Sequence, residues 1–429
     1  MPGVPMTANL EADQAAIQGY YRFIEKADET KVTPESLLHT HRQRTIERMR
    51  AQRTVLCIQD ETLISYSTRT PWEGLEVIGR NQTSAVSQGV RLHATLAVTA
   101  AGLPLGLLRC AYGSQGGAHA PGTQRWVDGL RDTMEAAEQV RAGTRILAVM
   151  DREGDKFALF DAYRQQARVH LLVRARHNCT LEGGRKLFAC MGAGAAKGYV
   201  EVPLGRLSRR VKAGRILHEG RTGRLARMAV RFRRVSLPPT AGFQGEPVPV
   251  WAIHIREASP PSGQKGVVWR LLTTCAVRTV AEAMEMVGYY LRRWRIADTF
   301  RVLKGGCKVE ELGVEGAASL HRVITLYAVM AWRILLMTLL GRQGPETQAE
   351  TVFTDGELRA LCGFARRYGL PKVTNLQTAM LVTAMLGGYR NRKHDPPPGV
   401  KIMWRGYSRL EIGAAFYAAA AGPPRVQRE

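Results

Sequence analysis

The sequence predicts an α/β fold: a mixed sheet with a β-rich insertion and a helical C-terminal region. Three observations predict it. TVLCIQD (54–60) and RILAVMD (145–151) are short apolar runs ending in an acid, the texture of buried strands. Residues 178–275 read as successive strands rich in arginine, and the chain beyond 280 reads mostly as helix. At 429 residues the chain can form two or three structural units around a large core.

Residues 1–50 read as a helical segment. IQGYYRFIEK, around Tyr20 and Phe23, suits a short amphipathic helix, and Pro34 opens another. Residues 51–177 read as the first part of the α/β core. After TVLCIQD, the segments RLHATLAVT and PLGLLRCAY flank Ala101-Gly102 and suggest a hairpin. A helix over Val127–Ala142, the strand RILAVMD, a helix over 156–168 and the strand VHLLVR (169–174) follow. Three strands, a helix, a strand and a helix fit an RNase H-like mixed sheet, although other α/β layer folds share this periodicity. Within 178–275, YVEVPL, RMAVRFRRVSL, VPVWAIHIRE and VVWRLLTT are candidate strands. Residues 276–345 return to the core with a long helix over 280–304. Val323–Leu340 is strongly apolar but interrupted by Arg333, and reads as a buried helix. Residues 346–429 are helical, interrupted by Lys393–Gly399, and no internal repeat is present.

Lys and Arg number 61 against 37 Asp and Glu, a formal charge of +24. Such a surplus favours a polyanionic partner, because each neutralised phosphate releases counterions. Between Arg206 and Arg234 there are eleven Lys/Arg residues and one acid, Glu219, with the aromatic Phe232 among them. A phosphate-backbone surface is expected there, with an ordinary solvated face as the alternative. No basic amphipathic helix suggests a membrane partner. Seven widely spaced cysteines without a C-x-x-C pair suggest reduced thiols in a cytoplasmic setting, and no secretory leader is visible.

Asp60 and Asp151 each end a strand, where α/β sheets tend to bind ligands and metals. Phosphodiester cleavage commonly uses two divalent ions about 3.5–4 Å apart. Carboxylates suit Mg²⁺, a hard ion that prefers oxygen, and Mn²⁺ can substitute. The helix VGYYLRRWRIADTFRVLKGG adds a second feature. At about 100° per residue, Arg293, Ala297, Arg301 and Lys304 fall within roughly 60° of Tyr290. An exposed amphipathic face would account for that, but a small alanine among cations stands where a carboxylate would be natural.

The spacing Tyr290-x2-Arg293-x3-Ala297-x6-Lys304 resembles the Y-R-E-K signature of the insertion-sequence-four family of bacterial DDE transposases, the group containing the Tn-five transposase. C-I-Q-D-E-T around Asp60, M-D-R-E-G-D (150–155) and W-R-L-L-T-T from Trp269 resemble three further family motifs, in order, so that the likeness spans about 15–420. The resemblance implies that Asp60 and Asp151 bind metal and that position 297 is the catalytic Glu, here replaced by Ala297. It implies that Tyr290, Arg293 and Lys304 grip end phosphates, and that Trp269 stacks on a flipped base, the alternative being a core tryptophan. Arg174, Arg176 and Arg301 are further candidate DNA contacts. Partners implied are double-stranded transposon ends and target DNA, with a homodimer on DNA.

Two departures bear on activity. Ala297 removes one carboxylate, and Asp298 cannot replace it because it lies about 100° further round the helix. An introduced change and natural loss would both account for the alanine. Only about 50 residues precede the first Asp strand, so the family's N-terminal end-reading domain is expected to be short or absent. Cut-and-paste transposition impaired by Ala297 is the reading, and a non-catalytic DNA-binding or inhibitory derivative is the alternative. A standalone metal nuclease of the same fold is a third.

Overall fold

The computed structural model describes residues 14–25, 31–66, 75–80, 86–113, 121–166, 168–205, 210–212, 215–218, 220, 222–240, 242–243, 245–314, 316–344 and 346–420. Helix α1 (Gln14–Glu25) covers the amphipathic segment expected near Phe23; the side chain of Tyr20 lies outside the described residues. Helix α2 (Pro34–Arg50) starts at Pro34 as expected. Thr33 and Ser36 bond each other's backbone there in a capping box.

Strands β1 (Thr54–Ser65), β2 (Glu76–Arg80), β3 (Val86–Thr99) and β4 (Pro104–Tyr112) follow, with the β3–β4 hairpin turning at Ala101-Gly102. Gly102 has φ +91, a conformation that favours glycine. Helix α3 (Pro121–Glu138) begins six residues before the expected start at Val127 and ends before Ala142. Its end is set by tight turns, in which Gln139 and Val140 donate to Ala136 and Ala137. Then come β5 (Arg145–Met150), α4 (Phe157–Gln165), β6 (Val169–Arg174) and a short helix, α5 (Leu187–Gly192). The basic segment forms β7 (Gly198–Leu204), β8 (Arg210–Lys212), β9 (Arg215–His218), β10 (Arg224–Leu237), β11 (Val248–Glu257) and β12 (Val268–Thr273). Positions 206–209, 213–214, 219 and 221 of the basic block lie outside the described residues.

The sheet order is β2-β3-β1-β5-β6-β12-β11-β10-β7, with β4 paired to β3. β1 runs antiparallel to β3 and parallel to β5, which is parallel to β6. This mixed order is compatible with an RNase H-like core. β12 joins β6 antiparallel, so the insertion's long strands continue the core sheet rather than folding apart from it. Because side chains alternate along a strand, each face acquires its own core. Leu56 and Ile58 of β1, Leu147 and Val149 of β5, and Leu271 of β12 point to one face. Val55, Cys57, Ile146, Ala148 and Leu272 point to the other, under α3 and α4.

The long helix expected over 280–304 is not continuous. α6 (Val280–Leu291) ends at Arg292, α7 (Trp294–Arg301) follows, and a π-turn spans Val302–Gly306. The backbone N–H groups of Arg292 and Arg293 bond to Tyr289 and Tyr290, three residues back, so the chain overwinds at the joint. A wheel drawn at a constant angle therefore misplaces Tyr290 relative to Ala297, and Lys304 sits in an underwound turn.

Helix α8 (Ala317–Gln343) is long and apolar enough to cross a membrane, but 67% of its most apolar window is buried inside the fold. It carries two inward arginines. The Arg322 Nε donates to the Ile24 carbonyl at 2.8 Å, tying α1 to α8. Arg333 enters the C-terminal helices α9 (Asp355–Arg367), α10 (Leu376–Leu386) and α11 (Val400–Ala420). There Arg333 Nη2 meets Glu357 at 2.8 Å and donates to the Val352 carbonyl, while Tyr407 donates to Glu357 at 2.7 Å. The sequence expectation of a buried helix interrupted by Arg333 is matched, and the interruption anchors α9 and α11.

Candidate active site

Register brings the two sequence-predicted aspartates together. β1 and β5 pair from Thr54↔Arg145 to Ile58↔Val149, and two residues further on Asp60 stands level with Asp151. By strand alternation both carboxylates face the side of the sheet that α6 and α7 cover, with Leu56, Ile58, Leu147 and Val149 beneath them.

Asp60 is held on both oxygens. Its Oδ1 accepts from the Glu61 N–H at 2.8 Å, and its Oδ2 from Arg293 Nη1 at 2.9 Å. Burial pushes its pKa up to about 6. The Glu61 N–H and the Arg293 charge oppose that rise, while the Asp151 and Glu153 charges add to it. Arg293 is only 7% exposed, and its guanidinium also lies over the Trp294 ring, 4.4 Å from the centroid.

Asp151 Oδ1 accepts from the Glu153 N–H at 2.7 Å, capping the 3-10 turn Arg152–Gly154. At Gly154 a Cβ would fall 2.5 Å from Met150 Cβ, so the turn closes onto β5 only with glycine. The Asp155 Oδ2 accepts from both the Arg176 and His177 N–H groups, at 2.6 and 2.7 Å. This carboxylate fixes the loop after β6 and was not singled out by sequence reasoning. Its signal was there, as the second acid of M-D-R-E-G-D. Glu61 was missed as well. It sits beside Asp60 and pairs with both Arg91 and Arg125.

Ala297 lies on α7 one turn after Arg293, hence on the side of the helix that reaches Asp60. Asp298 is taken up by Arg295 at 3.2 Å and Arg301 at 3.1 Å. Arg301 is otherwise exposed, at 70%. Tyr290 is buried in the core on that face. Lys304 donates to the Leu63 carbonyl of β1 and lies 3.8 Å from Glu310. Arg174, at the end of β6, pairs in register with Leu271 of β12, which places Arg174 and Trp269 on the aspartate face. Trp269 is half-buried and packs against the core cluster of that face; the side chain of Arg176 is exposed.

Asp60 and Asp151 are hard oxygen donors suited to Mg²⁺. One Asp60 oxygen is committed to Arg293, however. Among the described residues, no group of three or more His, Cys, Asp or Glu side chains could hold a metal ion. The donor set does not fit a divalent cation as it stands.

Asp60, expected to end its strand, instead lies inside β1, which continues to Ser65 because β3 pairs with it along that length, whereas Asp151 directly follows the end of β5. A carboxylate pair on adjoining strands, covered by a cationic helix, is a site of the kind that handles phosphodiesters. Residues 329–421, from within α8 to just past α11, match the family model described as Transposase Tn5 dimerisation domain. That match supports a Tn5-like transposase and, with it, a DNA-processing enzyme in general.

Proposed function

We propose that the chain is a DDE transposase of the insertion-sequence-four family, acting by cut-and-paste, whose catalytic glutamate is replaced by Ala297. The observation that carries this reading is the convergence on one sheet face. Asp60 stands beside Asp151, Arg293 is bonded to Asp60, and Ala297 lies one turn further on. The strand order supports an RNase H-like core, with 51–177 and 276–345 forming it and 178–275 inserted. The match over 329–421 supports pairing of two protomers on two DNA ends by the region 346–429.

The reaction class is in-line displacement at phosphorus: by water, freeing a 3′-OH; by that 3′-OH on the opposite strand, forming a hairpin; by water again, reopening the hairpin; and by the released 3′-OH on target DNA. Asp60 and Asp151 would supply charge at the cut phosphate. Arg293 holds Asp60 in place, and Arg174, Arg176, Arg301 and Trp269 would contact the end. To grip phosphates, Lys304 would have to leave the Leu63 carbonyl and Tyr290 would have to gain access from its buried position. Mg²⁺ or Mn²⁺ dependence belongs to the same proposal, with a glutamate at 297 supplying the missing donor. A cytoplasmic location at the nucleoid follows from it.

A second reading, a DNA-binding derivative without cleavage activity, is favoured by the incomplete donor set and by the pairing of Asp298 with two arginines. One assay separates the two. The chain and its Ala297→Glu variant are incubated with transposon-end duplex and Mn²⁺. The variant is expected to nick and form hairpins at least a hundredfold faster. Equal cleavage by both chains would remove position 297 from the site, and no cleavage by the variant would leave the binding reading.

A further inference from the structure

The opposite face of the sheet carries a cavity of about 420 Å³ that the candidate active site does not use. Phe188 and Gly192 of α5 form one wall. His254 and Arg256 of β11, Lys265 from the β11–β12 connection, and Arg270 of β12 form the others. Alternation sets this arrangement. Ala252 and Leu272 point into the core under α5, and His254, Arg256 and Arg270 continue the same face beyond the apolar cluster.

The cavity concentrates positive charge with nothing to answer it. His254 stands directly across from Arg231 on one side and Arg270 on the other, so a ring that burial and these arginines keep neutral separates two cations without answering either. The Arg270 guanidinium lies over the Phe188 ring, 4.5 Å from the centroid, and its Nε is buried without a hydrogen-bond partner. His254 is 5% exposed, with Nδ1 likewise buried and unpartnered. Among the described residues no ion pair engages Arg256, Lys265 or Arg270. Glu257 also lines the cavity, but its carboxylate is spent on Arg224, at 3.0 Å, and on the Val267 N–H. Burial, then the charges of Arg152, Arg256 and Arg174, pushes the Arg270 pKa down. A partly buried cation whose neighbouring carboxylate is already engaged elsewhere is costly, and an anion relieves the cost.

We propose that this cavity binds a backbone phosphate of duplex DNA, on the sheet face opposite Asp60 and Asp151. The choice of DNA rests on the proposed function; the unpaired cations rest on the structure alone. Phosphate-backbone contacts fix a duplex without reading its sequence, so the site would hold any duplex.

The test uses the full chain, Arg270→Gln, and Arg256→Gln/Lys265→Gln at the exposed rim, with circular dichroism to confirm folding. Calorimetry with inorganic pyrophosphate is expected to give one site, weakened at least tenfold in Arg270→Gln. Anisotropy of a labelled duplex is followed against salt. The rim variant is expected to lower the slope of log affinity against log salt by about 0.9 for each phosphate that it no longer neutralises. Duplex binding with an unchanged slope in a folded rim variant overturns the proposal and leaves the proposed function standing. Pyrophosphate binding without any duplex binding overturns both, showing a free phosphate as the occupant.

Discussion

Asp155 shows how one carboxylate oxygen can set the position of a candidate site. Its Oδ2 takes two backbone N–H groups just beyond β6, and these hold the turn carrying Arg176 beside Arg174. Hydrogen bonds to a charged group contribute about 1.5–3 kcal/mol each. Asp155→Ala should therefore destabilise the fold by about 3 kcal/mol in urea denaturation and weaken duplex binding, while Asp155→Asn, which keeps an acceptor, should lose far less. Equal stability of the alanine and asparagine variants would mean that these bonds carry no weight. The role was not legible in the sequence because an acid four residues after Asp151 looks the same whether it faces metal, DNA or backbone. Asp60 and Asp151 were legible, since each ends an apolar run.

At the scale of elements, α8 is the instructive case. By composition alone it would suit a membrane, and Arg333 explains why it is a core helix instead. Its guanidinium joins Glu357 of α9 and Tyr407 of α11, and Glu357 also accepts from the Thr354 N–H as part of a capping box. Glu411 of α11 faces the same cluster, and burial raises its pKa. Removing one partner of a buried pair leaves the other charge uncompensated, which costs about 3–5 kcal/mol. Glu357→Ala should lower stability by that amount and loosen α9–α11, and Glu357→Gln should recover part of it. Protease cleavage confined to 346–420 would report the loosening; a variant as protease-resistant as the parent would contradict the anchoring role. The joint at Arg292–Arg293 was less legible. No proline or glycine marks it, and the overwinding accompanies a bond from Arg293 to a residue far away in sequence.

Across the whole molecule, five of the ten histidines are held neutral by burial. His41 and His93 are pushed down to about 3, and His254 and His321 to about 4, in each case chiefly by burial and further by neighbouring arginines. An unfolded histidine takes its proton near 6.5, whereas these take theirs only well below that. The unfolded state thus binds more protons between about 6.5 and 3, and stability is complete above 6.5 and lost progressively below it. Asp60 and Glu411 work the other way, since burial raises both carboxyls and costs stability as pH climbs, but they are two groups against five once His170, also lowered by burial, is included. Melting temperature should therefore fall steadily from pH 7 to pH 5, and His93→Phe should flatten the fall. A melting temperature that holds or rises over that range would be incompatible with these buried neutral rings.

The sequence by itself determined the local periods: apolar runs for β1, β5 and β6, arginine-rich strands after 178, helices after 280. These are nearest-neighbour properties, set by alternation and helical repeat. It also determined a charge of +24. Only the tertiary structure decided that the insertion extends the core sheet, that Asp60 pairs with Arg293, and that Arg270 faces a cavity of cations. Each of these depends on which strands become neighbours, and the period of a strand says which face a residue takes but not what stands across from it.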